Sequence, residues 1–204
     1  VFPLGGVLLL PGGCLPLNIF EPRYKAMIDY AFKHERMIGI IQPKDGSDEH
    51  DHQPKASLNT VGCAGKITEM RETEDGRYIV SLTGMMRFDV HEEIDGISGF
   101  RRISVSWKRF EKDLIQKTCL DIDRNELRSL LKRYFDKQDM NCDWDAMACV
   151  DDGKLITCLS MVCPFDALEK QALLEAEECK KRAQLFMKLL EMAIHECEMP
   201  SSHN

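Results

Sequence analysis

Near Glu111 the hydrophobic pattern of this chain changes its period, and that change limits what the chain can fold into. Before it, apolar residues recur at every second position. Tyr78, Val80 and Leu82 alternate with Ile79, Ser81 and Thr83, and Ile103, Val105 and Trp107 alternate with Ser104, Ser106 and Lys108. After it, they recur at three and four. Leu127, Leu130, Leu131, Tyr134 and Phe135 make one such stripe, and Ala183, Phe186, Leu189, Leu190, Ala193, Ile194 and Cys197 a longer one. The first pattern is that of half-buried strands and the second that of amphipathic helices. Strands first and helices afterwards read as an α+β fold, not as alternating βαβ units. We therefore expect a sheet-rich part over residues 1–112 and a helical part over residues 113–204, with a disordered polar tail from about 199.

Within the first part, Cys14 to Phe20 is an apolar strand whose Pro16 marks an edge or a bulge, since proline cannot donate to a ladder. Glu21-Pro22 then opens a helix, with Pro22 suited to its first position and Tyr24, Met27, Ile28, Ala31 and Phe32 as its apolar stripe. Met37 to Ile41 is a short buried strand, and the polar stretch 43–58 a surface loop. A meander follows: Val61 to Met70, a turn at Glu74-Asp75-Gly76, and a strand from Tyr78 whose alternation Gly84 interrupts before Phe88 alternates with Val90. Turn signals at Asp95-Gly96 and Gly99 precede the next strand. Such short strands suggest a strongly bent sheet or partial barrel. In the second part Asp123 with Glu126 predicts a capping box. Further helices are expected near Trp144, over Gly153 to Cys163, and from Asp166 to Ala176.

Composition removes several functions. A net charge of -7 without a basic block speaks against nucleic acid and against anionic lipid as partners. No stretch approaches the ~20 apolar residues of a spanning helix. The nine cysteines are odd in number and form no Cys-x-x-Cys. They read as small apolar residues of a reduced, cytoplasmic protein.

The chemistry-bearing motifs are weak. Gly62-Cys63-Ala64-Gly65-Lys66-Ile67 is too short for a phosphate loop and lacks its hydroxyl. His50-Asp51-His52, preceded by Asp48 and Glu49, reads as solvated loop charge and not as a metal site. Asp151-Asp152 and Glu177-Glu178 read as helix amino-terminal charges. No catalytic residue, metal or cofactor is assigned.

Phe2-Pro3-Leu4, Leu8-Leu9-Leu10-Pro11-Gly12, and above all Pro16-Leu17-Asn18-Ile19-Phe20-Glu21-Pro22-Arg23-Tyr24 resemble the start of the Lon protease amino-terminal domain. Leu82-Thr83-Gly84-Met85-Met86-Arg87-Phe88 resembles that family's strand with Gly and Arg three apart. Cys163-Pro164-Phe165, Glu169 to Glu175 and Arg182 to Leu190 resemble its helical portion. The resemblance implies a PUA-like pseudo-barrel followed by a helical bundle, and recognition of unfolded or tagged protein clients without ATPase or protease chemistry. It carries no phosphate loop or Ser-Lys protease module onto this chain. An adaptor or quality-control role in protein turnover is the expectation. A small hydrolase or metal-dependent enzyme on the same scaffold, or an RNA-binding module, is the alternative.

The expected client surface is the junction of the first helix and the sheet: Phe20, Tyr24, Met27 and Ile28, with Met85 and Met86 as adaptable neighbours. An edge near Pro16 could also add a peptide strand. Glu21, Arg23 and Arg87 are expected to hold the sheet–helix junction by charge-assisted hydrogen bonds, with Pro22 fixing the helix start.

Overall fold

The computed structural model describes residues 1–44, 56–115 and 122–196. The polar tail, most of the loop at 43–58 and the His50-Asp51-His52 cluster lie outside the described residues. The strands are β1 (Phe2–Pro3), β2 (Cys14–Ile19), β3 (Met37–Ile41), β4 (Val61–Glu72), β5 (Tyr78–Ile97) and β6 (Phe100–Ser106), with helix α1 (Pro22–Phe32) between β2 and β3. A 3-10 helix (Lys108–Leu114) leads to α2 (Arg124–Lys137), α3 (Trp144–Ala148), α4 (Asp152–Val162), α5 (Ala167–Glu175) and α6 (Cys179–Glu196). The fold is α+β, sheet first and helices after, as the change of period predicts.

The sheet is mixed and six-stranded, in the order β1-β3-β4-β5-β2, with β6 also on β5. Only β1–β3 is parallel. The long strand β5 changes partner along one edge: residues 78–83 pair with β2, and 89–97 with β6. Register shifts in β4–β5 let the sheet turn over on itself. β2 is an end strand, which is where Pro16 is tolerated.

The alternation of β5 is interrupted at Gly84, as expected, where a bulge shifts the register against β4. The strand itself runs on, and Gly84 is where another backbone crosses. A Cβ there would stand 2.1 Å from the Leu10 carbonyl oxygen, and Gly84 N donates to Gly13 O at 2.9 Å. Of the two turn signals, that at Gly99 marks the β5–β6 turn, together with Ser98, while Asp95-Gly96 stays within β5. Both turn residues have positive φ, 50° and 84°, the geometry of a tight hairpin. Trp107 lies past the end of β6 and packs edge-on against Phe88, ring centroids 5.9 Å apart.

Each capped helix starts on an aspartate. Asp123, Asp143, Asp151 and Asp166 accept hydrogen bonds from the first free backbone N–H groups of α2, α3, α4 and α5. The full reciprocal box is at Asp166 and Glu169, both bonds 2.8 Å. At α2, Asp123 accepts from Asn125 N and Glu126 N. One hydrophobic core runs through both halves, from Leu8, Leu9 and Leu10 through Ile28, Leu82 and Leu131 to Phe186 and Leu190. A small second cluster holds Ile41, Ala64 and Phe88.

Candidate functional site

Helix α1 presents Tyr24, Met27, Ile28 and Ala31 at i, i+3, i+4 and i+7, and all four are buried. Met86 is buried as well. The expected client surface is therefore corrected: Tyr24, Met27, Ile28 and Met86 fill the core and offer no exposed side chain. Their helical and strand periodicities point them inward, where the α1–sheet layer closes. Phe20 and Met85 are different. Phe20 follows the buried Ile19 and is 64% exposed, and Met85 is 38% exposed. Met85 is the extra residue of a bulge, since Ala64 pairs with Met86 and Gly65 with Gly84.

Phe20 and Met85 mark the ends of one surface, the outer face of the β2–β5 ladder. Asn18 pairs with Ile79, Pro16 with Ser81 and Cys14 with Thr83. Ile79, 37% exposed, sits at the Phe20 end. The six steps of strand from Ile79 to Met85 span about 20 Å, with the smaller Ser81 and Thr83 between. The hydrogen bond from Gly84 N to Gly13 O fixes which β2 groups face β5. Alternation from there turns the backbone groups of Cys14, Pro16 and Asn18 to the unpaired edge. Pro16 removes the middle donor of that edge. An added peptide strand would find only the amides of Cys14 and Asn18 flanking it, so side chains on the face have more to offer than the edge.

Arg87 lies farther along β5 and is only 3% exposed. Its Nη2 and Nε reach the two Asp113 carboxylate oxygens at 2.7 and 2.9 Å, and its backbone N donates to the same carboxylate at 3.0 Å. Nη1 donates to Leu174 O at 2.8 Å and Ala176 O at 2.6 Å, at the carboxyl end of α5. The guanidinium also stacks on Phe110, 4.4 Å from its ring centroid. A fork of donors at a helix carboxyl end meets carbonyls that have no partner in the helix. Arg87 thus ties the sheet to the helical half. Glu21 and Arg23 do not join it: they pair with each other, Arg23 Nε to Glu21 Oε2 at 3.0 Å, at the start of α1. The three residues form charge-assisted bonds as expected, but at two separate places.

More polar lacing crosses the same junction. Gln171 Nε2 donates to Val61 O at 3.2 Å, Gln42 Nε2 to Ala167 O at 3.1 Å, and Lys170 Nζ to Gly6 O at 2.8 Å. Burial holds the Lys170 ammonium below its ordinary pKa. Asp113 was not legible beforehand, because it stands in a charge-rich run, Lys108 to Asp113, that reads as solvated. Ile79 was missed because strand alternation alone does not say which of two faces remains open.

The buried thiols of Cys63 and Cys163 do not resemble nucleophiles. Burial pushes Cys63 up to about 12, helped by the nearby Asp113 carboxylate, and pushes Cys163 to about 12. Both stay protonated and poorly reactive at neutral pH. Among the described residues no group of three or more His, Cys, Asp or Glu side chains could hold a metal ion. Among them, too, no helix is long and apolar enough to cross a membrane.

A family model described as the ATP-dependent protease La (LON) substrate-binding domain matches residues 1–192. The Lon protease of Anaeromyxobacter dehalogenans is 24% identical over 191 residues, 93% of this chain and 22% of that protein. That of Cytophaga hutchinsonii is 23% identical over 210 residues, 98% of this chain and 24% of that protein. The chain thus spans less than a quarter of the length of these curated relatives. Among solved structures, a Lon N-terminal domain protein from Xanthomonas campestris superposes with a TM-score of 0.60 at 20% identity. It covers 93% of this chain and 95% of that one. The N-terminal domain of a Mycobacterium avium complex Lon protease gives 0.60 at 13% identity, over 93% and 96%. These likenesses show the same fold.

Proposed function

Because the chain belongs to the family of ATP-dependent protease La (LON) substrate-binding domains, we propose that it binds unfolded or tagged protein clients on the outer face of its β2–β5 ladder. The chain recognises and presents; it turns over no ATP and cuts no peptide bond by itself. Its role is that of an adaptor or quality-control factor in protein turnover, in a reducing, cytoplasmic setting. Residues 1–112 supply the client face, and the helical part over residues 113–204 is tied to the same sheet by the Arg87 clasp. The observation that carries this reading is Phe20, a large aromatic side chain left 64% exposed at the end of the ladder where Ile79 is also exposed. Large apolar groups left in water at one place mark interaction surfaces more often than single scattered ones. The alternative of an enzyme on this scaffold finds no support in the buried, protonated Cys63 and Cys163.

The test is equilibrium binding of a reduced, carboxymethylated polypeptide to the native chain and to Phe20→Ser with Ile79→Ser. Affinity should fall about tenfold, since each side chain would bury part of its apolar area against the client. Equal affinity in a folded double variant removes this face from the proposal. Met85→Ser alone should weaken binding less. Met86 is left unchanged, because its side chain belongs to the core.

A further inference from the structure

The helical half carries a cavity of about 190 Å³ between α2, α3 and the start of α4. Leu127, Leu131 and Leu155, all buried, form its apolar floor; Trp144 and Met147, half-buried, form a wall. Pockets for drug-sized ligands run to roughly 300–1,000 Å³, so this one fits a single side chain. The wall is held firmly. Arg124 pairs with Asp152 and donates to the Met147 and Val150 carbonyls, tying α3 to α2 and α4. Phe135 backs Trp144, ring centroids 6.0 Å apart.

The rim is cationic. The Arg128 guanidinium carbon lies 5.8 Å and Lys132 Nζ 5.7 Å from the Trp144 ring centroid. Both side chains are exposed, and neither forms an ion pair or hydrogen bond among the described residues. They stand four apart on α2, a spacing at which like charges repel. The acids nearby are committed or apart: Asp152 pairs with Arg124, Asp143 caps α3, and Asp145 makes no ion pair with either cation. In a chain of net charge -7, two adjacent cations that share an aromatic wall and form no ion pair among the described residues are placed to hold an anion from outside.

We propose that this cavity is a second client-binding site, taking one apolar side chain of a polypeptide whose neighbouring carboxylate is held by Arg128 and Lys132. The inference rests on the client-binding reading and adds a chemical preference to it. The carboxylate can be an acidic side chain or the free carboxyl end of the client, and the two sources are separable.

The experiment follows Trp144 fluorescence in a Trp107→Phe background during titration with short peptides. One pair is acetyl-Gly-Leu-Asp-Asp-Gly-amide and its Asp-to-Lys counterpart. The other is acetyl-Gly-Gly-Leu with a free or an amidated end. At least one anionic peptide should bind about tenfold or more tighter than its partner, and Arg128→Glu with Lys132→Glu should abolish the difference. Whichever pair shows the preference identifies the source of the carboxylate. Equal binding within both pairs overturns the proposal. So does a preference that survives charge reversal. Carboxymethylated polypeptide, titrated in parallel, separates the two readings: if it binds while the peptides show no preference, only the cavity proposal falls; if neither protein binds any polypeptide, both fall.

Discussion

Two adjoining stretches of strand β5 lie in opposite surroundings. From Ile79 to Met85 one face is buried, with Val80 and Leu82, while the other carries Ile79, Ser81, Thr83 and Met85 towards solvent. From Met86 to Phe88 three consecutive residues are buried, so both faces are covered. The cover over Met86 to Phe88 comes from the 3-10 helix and the end of α5, gathered by Arg87. The adjoining cysteines follow the same division. Cys14, opposite Thr83 in the open stretch, is exposed, whereas Cys63, opposite Arg87 in the covered stretch, is buried. Alternation along a strand therefore tells which side chains share a face. It does not tell whether that face meets water.

The largest effect should come from removing the clasp. Arg87→Met would leave the Asp113 carboxylate buried without its partner and strip the donors from Leu174 O and Ala176 O. Breaking a buried pair from one side costs about 3–5 kcal/mol. Urea unfolding should show that loss, and adding Asp113→Leu should restore a good part of it. If Arg87→Met unfolds at the native midpoint, the helical cover does not depend on the clasp.

Gly84→Ala tests the boundary between the two stretches, where the Leu10 backbone crosses β5. The added Cβ would meet a backbone oxygen that cannot swing away, so we expect a loss of about 1–3 kcal/mol or more. Thr83→Ala, one residue into the open stretch, should stay within about 0.5 kcal/mol. Equal stabilities would show that the crossing yields easily.

Cys63 gives the comparison a pH dependence. Its thiol is held up to about 12 in the folded chain against an ordinary value near 9. The unfolded chain loses this proton first, so the folded state binds more protons between those limits. The contribution of Cys63 is thus complete below pH 9 and is lost as pH rises from 9 to about 12, at no more than about 1.4 kcal/mol per pH unit. Unfolding midpoints at pH 8 and pH 10.5 should separate more in the native chain than in Cys63→Ala. Iodoacetamide at pH 8 should label Cys14 quickly and Cys63 only in denaturant; rapid labelling of native Cys63 would contradict its burial.

The smallest effect on stability belongs to the open stretch. Phe20→Ser with Ile79→Ser should shift unfolding by no more than about 0.5 kcal/mol per residue while weakening client binding. A large loss of stability would mean that these two side chains pack more tightly than their exposure implies, and would argue against their use as a docking face.

The sequence by itself determined the elements and their order. Period two before Glu111 and period 3.6 after it, Pro22 at the start of α1, and Pro16 on an end strand are all properties of a few neighbouring residues. The Pro16 to Tyr24 motif carried the family in the same local way. The inward stripe of α1 is legible too, but a helical stripe is apolar whether it meets a sheet or a partner, so periodicity does not say that Tyr24, Met27 and Ile28 belong to the core. Tertiary structure alone decided which stripes are covered. Arg87 meets Asp113 across 26 residues and the end of α5 across 87 to 89. The α2–α3 cavity, likewise, exists only where Trp144 and Met147 fold back over Leu127 and Leu131. Periodicity records what each segment would bury, whereas cover and cavities depend on where distant segments come to lie.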